Sequence, residues 1–120
     1  MSEIPQPVTD EDMQRMLATS VAYTLVLLRS GPKYGSAEAQ AIVWEHGRRN
    51  FELRAAGKLA IVTPVADDTD LAGVGIFTTD IDETRALMAA DPAVVAGVLV
   101  PEVHPIRSFP GDALPAMVTP

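Results

Sequence analysis

The stretch AQAIVWEHGRRNFELRAAGKLAIVTPV, residues 39–65, reads as one amphipathic helix, a turn ended by Gly57 and a buried strand. At about 100° per residue, Ala39, Ile42, Val43, His46, Asn50 and Leu53 fall within roughly one third of the helix circumference. Glu45, Arg48 and Glu52 lie away from that stripe. His46 therefore shares the face that packs onto a sheet, which makes it either a core histidine or a site histidine. Gly57 suits the left-handed position just past a helix end, with Lys58 after it, so the helix should stop near Ala56. Leu59 to Val65 follows as a strand, and Pro64 places it at an edge or at a strand end.

Upstream, Val21 to Arg29 is nearly all β-branched residues, Leu or Tyr, and reads as a first strand broken by Ser30-Gly31-Pro32. Ser36 is the expected N-cap of the central helix, with Glu38 in its first turn. Downstream, the polar turn Asp67-Asp68-Thr69-Asp70 leads into a strand from Leu71 to Phe77, giving an antiparallel hairpin. Asp in a turn needs no metal to explain it, and this spacing lacks the Gly and terminal Glu of a calcium loop. Asp80 with Glu83 three residues on has the pattern of a capping box for a second helix, whose Ile81, Thr84, Leu87 and Met88 face the sheet. Pro92 disfavours helical geometry at Asp91, so that helix ends there. Ala93 to Gly97 makes one more turn, and Val98 to Ile106 is the last strand.

The order strand, helix, strand, strand, helix, strand is the α+β ferredoxin-like βαββαβ unit, a four-stranded antiparallel sheet with two helices on one face. The other face is bare, and the strands are apolar on both sides of the pleat. Stacking two such sheets in a homodimer, face to face or as a barrel, is the expected remedy. Residues 1–20 form an N-terminal arm and a short helix capped by Thr9 or Asp10, with Met13, Met16 and Leu17 as its apolar stripe. Residues 21–106 form the ferredoxin-like domain, and residues 107–120, with three prolines, a tail that wraps over a surface. Trp44 and Phe51, on the helix face opposite the core stripe, need a cover from the N-terminal helix or another subunit, which opens a route to a higher oligomer.

With 120 residues and 48% hydrophobic content there is room for one domain with one core. The formal charge of −7, with nine scattered Lys and Arg, argues against nucleic acid and anionic membrane as partners. Cys is absent, which removes disulfides, thiolate nucleophiles and Cys-ligated metals. No stretch has the length of a signal peptide or a membrane span, so a cytoplasmic location is the expectation.

Several local motifs in this order resemble the YCII-related (YciI-like) family of small dimeric α+β barrels. They are Leu27-Leu28-Arg29-Ser30-Gly31-Pro32-Lys33-Tyr34, the His46 helix with Ala56-Gly57-Lys58-Leu59, and Leu71-Ala72-Gly73-Val74. Asp91-Pro92-Ala93-Val94 with Ala96-Gly97, and Glu102-Val103-His104-Pro105, complete the set. The resemblance implies a dimeric α+β barrel and an active-site pair made of His46 and Asp91. Most members of that family have no assigned activity and one studied type is a dehydrochlorinase, so the resemblance implies an activity of that type. A cofactor-independent isomerase or lyase reaction is what the chemistry of the pair itself allows. Thr63-Pro64 stands where the family commonly has Gly-Pro, and Ile106 where it commonly has an aromatic.

The residues make their own case for the pair. A carboxylate on one imidazole nitrogen sets the tautomer and leaves the other nitrogen to exchange a proton with a ligand. That suits proton transfer at a carbon next to a carbonyl, on a small cyclic or carbonyl-bearing substrate. It is not a hydrolytic triad, since no serine nucleophile is marked. Asp91 before Pro92 is equally an N-cap of the following turn, so the pair also fits a structural role. Lys33 and Tyr34, in the loop after the first strand, and Arg49, beside His46, are candidate substrate contacts. His46 and His104 without a third ligand do not make a metal site. No phosphate-binding Gly-rich loop occurs, and no cofactor is expected. A non-catalytic dimeric protein that binds a small molecule in the same barrel is the alternative.

Overall fold

The computed structural model describes residues 6–117. The irregular arm expected over residues 2–5 and the end of the tail, residues 118–120, lie outside them. The chain divides into two units, one of Tyr23–Ile106 and one made of the two ends, Met1–Ala22 and Arg107–Pro120.

The central unit carries the strand β1 (Val21–Ser30, which begins in the other unit), the helix α2 (Ala39–Ala55), the hairpin β2 (Leu59–Pro64) and β3 (Leu71–Phe77), the helices α3 (Ile81–Ala89) and α4 (Pro92–Val95), and β4 (Leu99–Ser108). The order across the sheet is β2-β3-β1-β4, the arrangement of an α+β ferredoxin-like fold. β3 is antiparallel to both β1 and β2. β2 is an edge strand and ends on Pro64, where a missing N–H costs the ladder nothing.

Strand alternation sorts the side chains onto two faces. Thr24, Val26 and Leu28 of β1 are buried, and Val26 and Leu28 join a core with Ala39, Met88, Leu59 and Phe77. On the other face Leu25 is paired with Ile76 and Leu27 with Val74, all four only half-buried. In β3 the buried positions are Gly73, Gly75 and Phe77. Gly75 lies between Val26 and Val62, and Gly73 between Leu28 and Pro64. Two glycines at alternate positions thus put no side chain on the helix-facing side of β3; Leu59 and Phe77 crowd the place of a Cβ at Gly75, and at Gly73 only ordinary contacts would meet one.

Chain ends of the elements follow local chemistry, with some departures from expectation. α2 begins at Ala39 without a side-chain cap, because Ser36 belongs to a turn and its carbonyl accepts from the Ala39 amide at 3.2 Å. Its end matches expectation, with Gly57 at φ +77°. Asp80 caps α3 through the Glu83 amide at 2.8 Å, but the Glu83 carboxylate pairs with Lys58 at 2.9 Å instead of closing the box. The turn after α3 takes the extended geometry expected before Pro92: Asp91 has φ −68° and ψ 134°.

In the other unit, α1 (Asp10–Leu17) is capped by a full capping box between Thr9 and Asp12. It buries none of its residues, and Met13, Met16 and Leu17 stay exposed. Arg107 donates to the hydroxyl and carbonyl of Ser20 at 2.9 and 2.5 Å. In the tail beyond it, Leu114 and Met117 are exposed. No helix among the described residues is long and apolar enough to cross a membrane.

Candidate functional site

Gly73 and Gly75 belong to one wall of a cavity of about 210 Å³. Val26, Leu28, Phe77 and Met88 line it, and α2 contributes His46, Asn50, Val43 and Phe51. A cavity of about 150 Å³ with apolar walls is large enough for a benzene ring, so this one has room for a single ring. Val43 and Asn50, placed on the core stripe by helical periodicity, therefore edge an open space instead of packing solidly.

The loop after β1 is held against the start of β4. Gly31 donates to the Val98 carbonyl at 2.8 Å and Lys33 to the Gly97 carbonyl at 3.0 Å. A Cβ at Gly31 would collide with the Gly97 carbonyl oxygen, so this contact needs glycine. The loop thereby brings Tyr34 to the cavity wall. Lys33 is not among the residues lining it.

His46 lines the cavity, and its partner Asp91 is not among the lining residues. The Nδ1–H of His46 donates to Oδ2 of Asp91 at 2.8 Å. Asp91 is fully buried and His46 only 8% exposed. The second carboxylate oxygen, Oδ1, accepts the Ala93 amide at 2.8 Å and caps α4. The cap and the histidine thus use different oxygens of one side chain, so capping α4 and bonding His46 do not compete for the same atom. Asn50, one helical turn after His46, places its amide nitrogen 3.2 Å from Nε2. With its amide nitrogen so placed, Asn50 donates to Nε2, an arrangement that takes the ring with its proton on Nδ1.

Burial raises the carboxyl of Asp91, but the bond and charge of His46, the Ala93 amide and the charge of Arg49 outweigh it and hold the group below the ordinary aspartate range. Arg49 does not line the cavity. Its Nη1 lies 3.5 Å from Oδ2 of Asp91, buried and without a hydrogen-bond partner. The five residues named from the sequence thus separate in space: His46 and Asp91 are bonded, Arg49 stands behind them, Tyr34 lines the cavity and Lys33 does not. Asn50 was visible on the stripe but had no role there, although its i, i+4 spacing to His46 was the signal. Gly73 and Gly75 carried a signal too, two glycines on one face of an otherwise bulky strand.

No family model and no curated protein matches the chain. Among solved structures, it is similar to 5-chloro-2-hydroxyhydroquinone dehydrochlorinase (TftG) from Burkholderia phenoliruptrix AC1100, solved in complex with 2,5-dihydroxybenzoquinone. The identity is 20%, the match covers 68% of this chain and 90% of that one, and the TM-score is 0.48.

Away from the cavity, His104 pairs with Glu102 at 2.6 Å on the exposed part of β4. Trp44 is 70% and Phe51 54% exposed. They share a groove on the flank of α2, with Phe51 and Val43 bordering the cavity as well. Phe51 thus reaches the cavity edge although periodicity sets it away from the core stripe, whereas Trp44 is not among the residues lining the cavity.

Proposed function

We propose that this protein is a YCII-related, cofactor-independent acid/base enzyme that acts on a small ring or carbonyl compound, with His46 as the proton-transferring group and Asp91 as its orienting partner. The observation that carries the proposal is the division of labour on one imidazole. Nδ1 is tied to a buried carboxylate, while Nε2 and Asn50 stand at a largely apolar cavity of one-ring size.

In this reading Nε2 takes a proton from an acidic O–H, or from a C–H beside a carbonyl, and the resulting imidazolium is stabilised by the Asp91 carboxylate. Return of the proton to a different atom completes an isomerisation. Departure of a halide anion as the C–X bond breaks completes an elimination. Asn50 turns from donor to acceptor by rotating its amide, so it accompanies either protonation state of the ring. Tyr34 closes the cavity wall. The apolar lining favours a neutral or weakly acidic ligand, since the nearest guanidinium, Arg49, is directed at Asp91.

The homodimer belongs to the same reading. Leu25, Leu27, Val74 and Ile76 form an apolar row on the sheet face opposite the helices, and a second copy of this face covers it.

The test is hydrogen exchange in D2O. A panel of cyclic enols, 1,3-diketones and halogenated hydroquinones is followed by proton NMR with wild type and with His46→Ala. Catalysed exchange or halide release that is lost in folded His46→Ala supports the proposal. If several panel members bind and shift the His46 ring signals but none exchanges, the alternative stands, a binding protein without turnover.

A further inference from the structure

Arg49 follows His46 by three residues on α2, so both side chains reach toward the same turn, the one capped by Asp91. The arrangement there is unequal. Oδ1 of Asp91 is taken by the Ala93 amide, and Oδ2 accepts His46 at 2.8 Å while Arg49 Nη1 waits at 3.5 Å from the same oxygen. An arginine free to satisfy a carboxylate closes to about 2.7–2.9 Å, usually with two bonds. Here the imidazole holds the near position, and Nη1 is left buried with no acceptor at all. The guanidinium therefore acts through its charge.

We propose that Arg49 is a positioning residue that keeps His46 a neutral base: sharing Oδ2 of Asp91, it holds the carboxylate ionised and offsets its negative charge, so the carboxylate orients Nδ1–H without fixing the ring as imidazolium. The inference rests on the reading of His46 as the base of the site. The charged groups at the imidazole are Asp91 and Arg49. Among the residues that line the cavity with His46, the strands and α3 supply apolar side chains and the hydroxyl of Thr63 but no charged group, and the loop after β1 brings only the phenol of Tyr34. The lowered carboxyl of Asp91, to which Arg49 contributes, agrees with this balance. Without Arg49, the carboxylate would act on His46 alone and favour its protonated form.

The experiment is a titration of the His46 ring by ¹⁵N and ¹H NMR in wild type, Arg49→Met, Arg49→Gln and Arg49→Lys. Both neutral variants are expected to move the His46 midpoint to higher pH, while Arg49→Lys stays with wild type because the charge is kept. Neutral variants that titrate with wild type or below it overturn the proposal, as does a ring that titrates in none of the four proteins. Should the neutral variants not fold, wild type alone decides: Nδ1 protonated and Nε2 bare at neutral pH supports the proposal, and an imidazolium or the Nε2–H tautomer overturns it. Turnover plays no part in these readouts. A protein that titrates as expected but catalyses nothing keeps the role of Arg49 and loses the enzyme.

Discussion

Nδ1 of His46 and Oδ2 of Asp91 stand 2.8 Å apart although 45 positions separate them in the chain. The bond joins the middle of α2 to the N-cap of α4, and the same carboxylate holds the first turn of α4 through Ala93. Removing the charge without changing the shape separates these duties. Asp91→Asn keeps an oxygen for the Ala93 amide but meets Nδ1–H with an amide donor or a weaker acceptor. We expect it to fold, to lose about 1–3 kcal/mol of stability, and to shift the ring toward the Nε2–H tautomer. Chemical denaturation and the ¹⁵N spectrum of the imidazole measure the two effects.

Acid sensitivity follows from the lowered carboxyl of Asp91. Burial raises it, yet His46, the Ala93 amide and Arg49 together bring it below its unfolded value, which lies near 3.9 for an ordinary aspartate, to within about one unit. A carboxyl lowered on folding contributes its full stabilisation above the unfolded value and loses it as pH falls through the folded one. The stability gap between wild type and Asp91→Asn should be level just above about pH 5 and shrink steadily below about pH 4. Urea unfolding of both proteins across the acid range checks the sign: a gap that widens with acid contradicts it.

Asn50 holds the cavity side of the ring. Asn50→Ala is expected to cost less than about 1 kcal/mol, because a half-exposed neutral hydrogen bond is lost and a better helix former gained. It should nonetheless change the Nε2 signal of His46 and the affinity for any ligand that bonds there. Asn50→Asp sets a carboxylate beside Nε2 and should favour the imidazolium, moving the ring titration upward. An Nε2 signal that ignores both changes would remove Asn50 from the site.

Gly73 and Gly75 distinguish room for a ligand from mere backbone need. A Cβ at Gly73 meets Leu28 Cδ1 at 3.7 Å, ordinary contact, whereas one at Gly75 meets Leu59 Cδ1 at 3.1 Å and Phe77 Cε1 at 3.3 Å. Gly73→Ala should therefore be neutral or stabilising by up to about 1 kcal/mol while shrinking the cavity and weakening ring binding. Gly75→Ala should destabilise the fold as Leu59 is pushed aside. Thermal melts and a binding titration with one ring ligand read both effects.

Trp44 exposes most of its surface on the flank of α2. Trp44→Ser is expected to leave the stability of the folded chain within about 0.5 kcal/mol. If the groove it shares with Phe51 holds copies together, sedimentation should show a species larger than the dimer in wild type and its loss in the variant.

The local rules of the chain were readable because they depend on neighbours in sequence. Pro92 dictated the extended Asp91, Gly57 the end of α2, and alternation in Val21–Arg29 the two-faced strand. The start of α2 was misread because Ser36, a good cap by type, is spent on a turn whose carbonyl bonds to Ala39. Glu83 likewise had a competing partner, Lys58, 25 positions away, that no local pattern contains.

The sequence by itself determined the order of elements, the side of α2 that turns inward and, through a resemblance of its motifs to those of a known family, the expectation that His46 pairs with Asp91. Only the tertiary structure decided what that pairing is aimed at. Whether Val43 and Asn50 fill a core or edge a cavity depends on Gly73 and Gly75 in another strand, and whether Arg49 serves a ligand or Asp91 depends on which group stands within a few ångströms. Periodicity is a property of one element and survives in the sequence; distance between elements is a property of packing and does not.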